Sequence, residues 1–135
     1  MTSLTPGQTI GEFIRETGFA TWNRYAAVND EFVPIHMDDE AGRAAGYDGA
    51  FGMGNLQWSY LHNLVRSWIG PRDRILEISC QFRRPNLKGT LRASGKITGV
   101  TETPEGAIVD LELSVVDASG AVTAPGTARV LLANG

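Results

Sequence analysis

The feature that most constrains this chain is a change of hydrophobic period at Gly70-Pro71. Before it, Leu56, Tyr60, Leu61, Leu64, Val65 and Trp68 recur at spacings of three and four, which predicts one long helix with a broad apolar face. Gly70-Pro71 supplies the stop. After it the period is two. Leu76, Ile78, Cys80 and Phe82 alternate with Glu77, Ser79, Gln81 and Arg83, and over residues 91–100 Ala93, Gly95 and Ile97 alternate with Arg92, Ser94 and Lys96. Val109, Leu111, Leu113 and Val115 repeat the pattern beyond the turn Thr103-Pro104-Glu105-Gly106, and residues 126–133 supply a last run after Ala118-Ser119-Gly120. Pro125-Gly126 predicts a bulge or an edge. Four consecutive antiparallel strands with one apolar face must cover something, and the preceding helix is the available cover. The expected class is α+β, an antiparallel sheet wrapped around one central helix.

The rest of the chain fits one domain of 135 residues. Residues 1–8, with Pro6-Gly7, read as a loosely held lead-in. Residues 9–17 alternate weakly around Ile10, Phe13 and Ile14 and suggest a short strand or edge segment. Thr21 is placed to cap a short helix over residues 21–28, with Trp22, Tyr25, Ala26 and Val28 toward one side. Net charge is −3, and the 12 Lys and Arg are scattered, so no nucleic-acid footprint is expected. No window holds the roughly 18 apolar residues a membrane span needs. Cys80 is the only cysteine, so no internal disulfide can form; it reads as a small core residue of a cytoplasmic protein without a leader.

Residues 29–54 have the composition of a site: Asn29-Asp30-Glu31-Phe32-Val33-Pro34-Ile35-His36, then an acidic stretch, then Ala50-Phe51-Gly52-Met53-Gly54. Pro34 removes a donor and holds Val33 out of helical geometry, so residues 29–36 are expected to form an ordered, non-helical loop. Such a loop can aim Glu31 and His36 at one water, the equipment for general acid–base catalysis. Asp38 is the N-cap of a short helix with Asp39 and Glu40 in its first turn, closed by Gly46. Capping and solvation account for the acids. One histidine supplies too few ligands for a metal, and no cofactor is expected. The glycines ahead of the long helix fit neither a dinucleotide nor a Walker spacing. Free amides there, unobstructed at Gly52, can polarise a carbonyl and hold charge developing on its oxygen. His62, with neither a carboxylate nor a glycine turn beside it, is expected to be partnered or at the surface.

Arg24-Tyr25-Ala26-Ala27-Val28-Asn29-Asp30-Glu31-Phe32-Val33-Pro34-Ile35-His36, followed by Asp38, Ala41, Ala50-Phe51-Gly52-Met53, Phe82-Arg83-Arg84-Pro85 and Lys88-Gly89, resembles the MaoC-like dehydratases, the (R)-specific enoyl-CoA hydratases. The match runs in order over roughly residues 20–100. The resemblance implies a single hotdog domain and reversible addition of water across the 2,3 double bond of a trans-2-enoyl-CoA. Aligned on Pro34-Ile35-His36, the family's catalytic carboxylate falls on Glu31, its histidine on His36 and its oxyanion amide on Gly52. Phe51 and Met53 would then flank the acyl group, and Arg83, Arg84 or Lys88 would meet the CoA phosphates. Glu31 stands where the family has Asp, so either the loop is set back or Asp30 supplies the carboxylate. Val33 replaces an Asn, and Phe51 replaces a His. The resemblance further implies a homodimer, or a heterodimer with another hotdog chain that works only with its partner. A hotdog thioesterase shares the scaffold, but the Pro-Ile-His series argues against it.

Overall fold

A computed structural model describes residues 4–134. Its elements in order are β1 (Thr9–Thr17), α1 (Phe19–Asn29), a 3₁₀ turn (Pro34–His36), α2 (Asp39–Ala44), α3 (Gly54–Trp68), β2 (Arg74–Cys80), β3 (Gly89–Thr103), β4 (Gly106–Val116) and β5 (Val122–Ala133). The strands make one sheet in the order β1-β3-β4-β5-β2, with every neighbouring pair antiparallel. Strand β1 is the edge that its weak alternation suggests.

The helix and the sheet meet as their periods require. Leu61, Leu64 and Val65 of α3 are fully buried, as are Leu91 and Ala93 of β3, Val109 and Val115 of β4, and Ala124 and Val130 of β5. Each such large apolar side chain contributes about 1.5–3 kcal/mol by leaving water.

The strands are not in chain order, which departs from the expected run of four. Strands β3, β4 and β5 are consecutive, but β2 pairs with β5 at the far edge. Strand β2 ends at Cys80, short of Phe82, and residues 81–88 cross to β3, their first part still tied to β5 by the amides of Gln81 and Arg83, which donate to the Pro125 and Thr123 carbonyls at 2.9 Å. That crossing segment passes the start of α3, where Gly52 and Asn86 form an isolated antiparallel bridge. Pro125-Gly126, expected to mark a bulge or an edge, instead pairs in regular register with Ser114 and Leu113; the slip in β5 falls at Thr123, where Val115 pairs with Ala124 but Val116 with Val122.

The N-terminal third holds two further corrections. Helix α1 begins at Phe19 with Gly18 as N-cap, so Thr21 lies inside it, its hydroxyl turned back to the Glu16 carbonyl at 3.4 Å. Only Trp22 and Ala26, four apart, are buried, and Val28 is 88% exposed. Of the lead-in, residues 1–3 lie outside the described residues; Gly7 donates to the Ile97 carbonyl at 2.7 Å and pins the entry to β1 against β3.

Candidate active site

The site begins where α1 ends. Asp30 takes the left-handed conformation (φ 53, ψ 44), and its amide and that of Glu31 both turn back to the Ala26 carbonyl. This reversal separates the two acids. Asp30 faces solvent, while the Glu31 side chain is 27% exposed and its Oε2 lies 3.7 Å from His36 Nε2. Burial pushes the nearby Tyr25 phenol up, the Ser59 hydroxyl draws it back, and the Glu31 charge raises it further.

Residues 34–36 are a 3₁₀ turn rather than a non-helical loop. Pro34 sits at its first position, where a missing amide leaves no gap, and Val33 is extended (φ −99, ψ 131) as a residue before proline must be. The turn buries His36 and ties it to residue 51 twice. The Phe51 amide donates to the Ile35 carbonyl at 3.1 Å, and His36 Nδ1 lies 2.6 Å from the Phe51 carbonyl. A carbonyl only accepts, so Nδ1 carries a proton, and in the neutral ring Nε2 is the acceptor. Nε2 therefore faces the Glu31 carboxylate as one acceptor facing another. Two facing acceptors can share one donor, such as a water. The Phe51 ring stands edge-on to His36 at 5.5 Å and to Tyr47 at 4.9 Å, which limits rotation of the imidazole.

The amide expected to be free at Gly52 is engaged: it donates to the Asn86 carbonyl at 2.8 Å. Asn86, 1% exposed, returns the bond through Nδ2, which donates to the carbonyls of Gly52 (3.1 Å) and Met53 (3.4 Å). A Cβ at Gly52 would sit 2.0 Å from Asn86 Oδ1 and 2.4 Å from Trp22 Nε1. Only glycine lets these groups close in. Those two atoms, an acceptor and a donor, are both buried without a hydrogen-bond partner. The unpaired amides lie one step on. Gly54 and Asn55 donate to no other described residue, at the positive end of α3. The Phe82 ring lies against Gly54, where a Cβ would be 2.6 Å from Cδ2.

A cavity of about 240 Å³ is lined by His36, Phe51, Gly52, Gly54 and Gln57, with Phe82, Arg83, Arg84 and Asn86 of the crossing segment; Glu31 does not line it and meets it only through His36. Of the residues expected at a ligand, Met53 does not line it; as N-cap of α3 its side chain is fully buried in the core. Arg83 is held by Gln81 Oε1 at 2.9 and 3.0 Å. Lys88 grips both oxygens of Asp39 (2.8 and 2.9 Å) over the Phe19 ring and is engaged away from the cavity. Asp38 caps α2 by accepting the Glu40 amide, but Asp39 is more than solvated: it also accepts the Ala50 amide at 3.0 Å. The Lys88 ammonium and the Ala50 amide hold its carboxyl below the usual range. His62 packs edge-on to Trp58 at 4.7 Å and does not line the cavity. A larger hollow of about 580 Å³ on β1, β3 and β4 carries neither histidine nor helix start.

Sequence pattern did not point to Gln57 or Asn86. Gln57 had a signal, a polar residue on the same stripe as Leu61 and Leu64; Asn86, one residue after Pro85, had none.

No protein-family profile matches the chain, and no curated protein matches it in sequence. Solved structures do. An (R)-hydratase from A. caviae involved in PHA biosynthesis is 25% identical, with a TM-score of 0.85 over 98% of this chain and 99% of that one. A MaoC-like dehydratase from Rhodospirillum rubrum is 20% identical, with a TM-score of 0.82 over 98% and 95%. The ChsH1-ChsH2 complex from Mycobacterium tuberculosis matches at 18% identity, with a TM-score of 0.82 over 95% and 98%. The chain has the hotdog fold of the MaoC-like dehydratases and (R)-hydratases.

Proposed function

We propose that this chain is a hydro-lyase that adds water reversibly across the 2,3 double bond of a trans-2-enoyl-CoA thioester. The observation that carries the reading is the pair of acceptors, Glu31 Oε2 and His36 Nε2, 3.7 Å apart beside a cavity that opens at a helix start. A water bound between them presents its oxygen lone pair to C3 of the enoyl group. As the C3–O bond forms, one of the pair takes the water's proton, the C2–C3 π electrons move toward the carbonyl, and charge gathers on the thioester oxygen. With the Gly52 amide given to Asn86, the amide placed to receive that oxygen is Gly54, lining the same cavity. Protonation at C2 by the pair completes the addition, and the reverse sequence is dehydration. A positioned acid–base pair is worth about 10²–10⁴ in rate, and one oxyanion donor about 10²–10³. No step calls on a cofactor. Arg84, on the cavity wall, is the basic residue placed for the CoA phosphates, with Arg83 beside it.

A second reading is a hotdog subunit that is weak or silent alone and completed by a different hotdog chain. Two observations favour it: the two-chain complex among the fold neighbours, and the open edge of β2, where Leu76 is 45% exposed next to a bulge. The joint would lie near the cavity, since β2 runs straight into the crossing segment.

The test is purified chain with crotonyl-CoA, following loss of conjugated thioester absorbance and release of free thiol. Absorbance loss without thiol, abolished in His36→Ala, supports hydration. Thiol release points to a thioesterase instead, and activity that appears only with a second hotdog chain supports the paired subunit.

A further inference from the structure

Gln57 is a buried polar side chain that the fold does not use up. It sits on α3 in the stripe of Leu61 and Leu64, at spacings of four and seven, and is 1% exposed. One end of its amide is held by the Thr123 hydroxyl, itself fully buried and 3.2 Å from the Val115 carbonyl. The other end, Nε2, has no hydrogen-bond partner among the described residues, yet it is not sealed in as Trp22 Nε1 and Asn86 Oδ1 are; the residue forms part of the cavity wall. A helical side chain leans toward the N-terminus of its helix, so Gln57 reaches back over Gly54, three residues earlier and on the same wall. A buried amide with one end satisfied is costly unless something else completes it, and an apolar residue would serve packing here at least as well.

We infer that Gln57 is a substrate-contacting residue: its Nε2–H donates to the thioester oxygen beside the Gly54 amide, giving the developing charge two donors instead of one. This deepens the hydratase reading and rests on it. Thr123 holds the far end of the amide and leaves the near end on the cavity wall.

The experiment compares wild type, Gln57→Met and Gln57→Leu, both close in volume and unable to donate. Three measurements are made: kcat and KM for crotonyl-CoA hydration, the melting temperature, and the infrared carbonyl stretch of bound crotonyl-CoA labelled with ¹³C at C1. The expected result is a loss in kcat of about 10²–10³ with melting temperature equal to or above wild type, and a carbonyl stretch moved back toward its value in water. Met stands in where Leu does not fold. Unchanged kcat and an unchanged stretch in a folded variant overturn the assignment while leaving hydration intact. A fall in kcat that tracks a fall in melting temperature, with no change in the stretch, also overturns it, because it makes Gln57 structural. If wild type binds crotonyl-CoA without hydrating it, the hydratase reading fails by itself, and the stretch still decides whether Gln57 touches the carbonyl.

Discussion

Gly52→Ala is the change that presses hardest on the geometry of the site. The added methyl would lie 2.0 Å from Asn86 Oδ1 and 2.4 Å from Trp22 Nε1, both far inside contact distance. Neither neighbour can yield freely, because Trp22 is fully buried and Asn86 is 1% exposed. Relief requires Asn86 to move, which strains the 2.8 Å bond from the Gly52 amide and the 3.1 Å return bond from Nδ2. Two hydrogen bonds at about 0.5–1.5 kcal/mol each, added to about 1–3 kcal/mol for overpacking, give a loss of about 2–6 kcal/mol, centred near 4. For a chain of this length 1 kcal/mol moves the melting temperature by about 3–4 °C, so the expected fall at the centre of that range is roughly 12–16 °C by circular dichroism. A double-mutant cycle sharpens the test. Asn86→Ala removes one of the two clashing atoms, so Gly52→Ala should cost at least about 1 kcal/mol less on that background. A Gly52→Ala protein melting within about 3 °C of wild type, or strictly additive variants, would refute the claim that the bare α-carbon is what lets the crossing segment dock.

Glu31→Gln and His36→Ala should each lower kcat for crotonyl-CoA by about 10²–10⁴. Asp30→Asn should stay within about twofold, since Asp30 faces solvent, and a large loss there would move the catalytic carboxylate to Asp30. The depressed pKa of Asp39 makes its contribution to stability present above the ordinary carboxylate value and lost as pH falls through the lower folded value. Denaturant midpoints should therefore drop below about pH 4 in wild type and drop less in Asp39→Asn. Arg84→Ala should raise KM for crotonyl-CoA in a salt-dependent way yet leave KM for crotonyl-pantetheine unchanged, and an equal rise for both would place the phosphates elsewhere.

The fold was largely readable because its two periods are long and clean. The helix 54–68 and the alternation in 106–116 each have one buried face, and such faces can meet in few ways. What local pattern cannot encode is which edge a strand joins. Strand β2 looks like its neighbours in sequence, and only the eight residues before β3, too many for a tight hairpin, hint that it lies on the far side of the sheet. The same limit applies to the site. Glu31, His36 and Phe51 lie within one stretch, and proline and glycine rules bound their backbone. Asn86 comes from a segment 34 residues away from Gly52 and enters through a backbone bridge that leaves no mark on residue type.

Set against the family it resembles, the chain changes side chains around His36 while the hydrogen bond that orients the ring is carried by the backbone. Nδ1 is held by the carbonyl of residue 51, which is present whether the side chain is His or Phe. The 3₁₀ turn depends on Pro34, and the open amide at Gly54 depends on the helix starting there. The replacement of Asp by Glu is met in the same way. Asp30 accepts a left-handed conformation so that its own amide and that of Glu31 fold onto Ala26, and the longer Glu31 side chain then ends 3.7 Å from the imidazole. Phe51 therefore makes the surroundings of the pair more apolar without dismantling it, while Val33 is 40% exposed. Phe51→His consequently tests polarity rather than geometry: if the chain is the proposed hydratase, the change should shift the pH dependence of crotonyl-CoA hydration while leaving the Glu31–His36 pair in place. Abolition of turnover in that variant, with the fold intact by circular dichroism, would show that the Phe51 ring, and not the backbone carbonyl, is what orients His36.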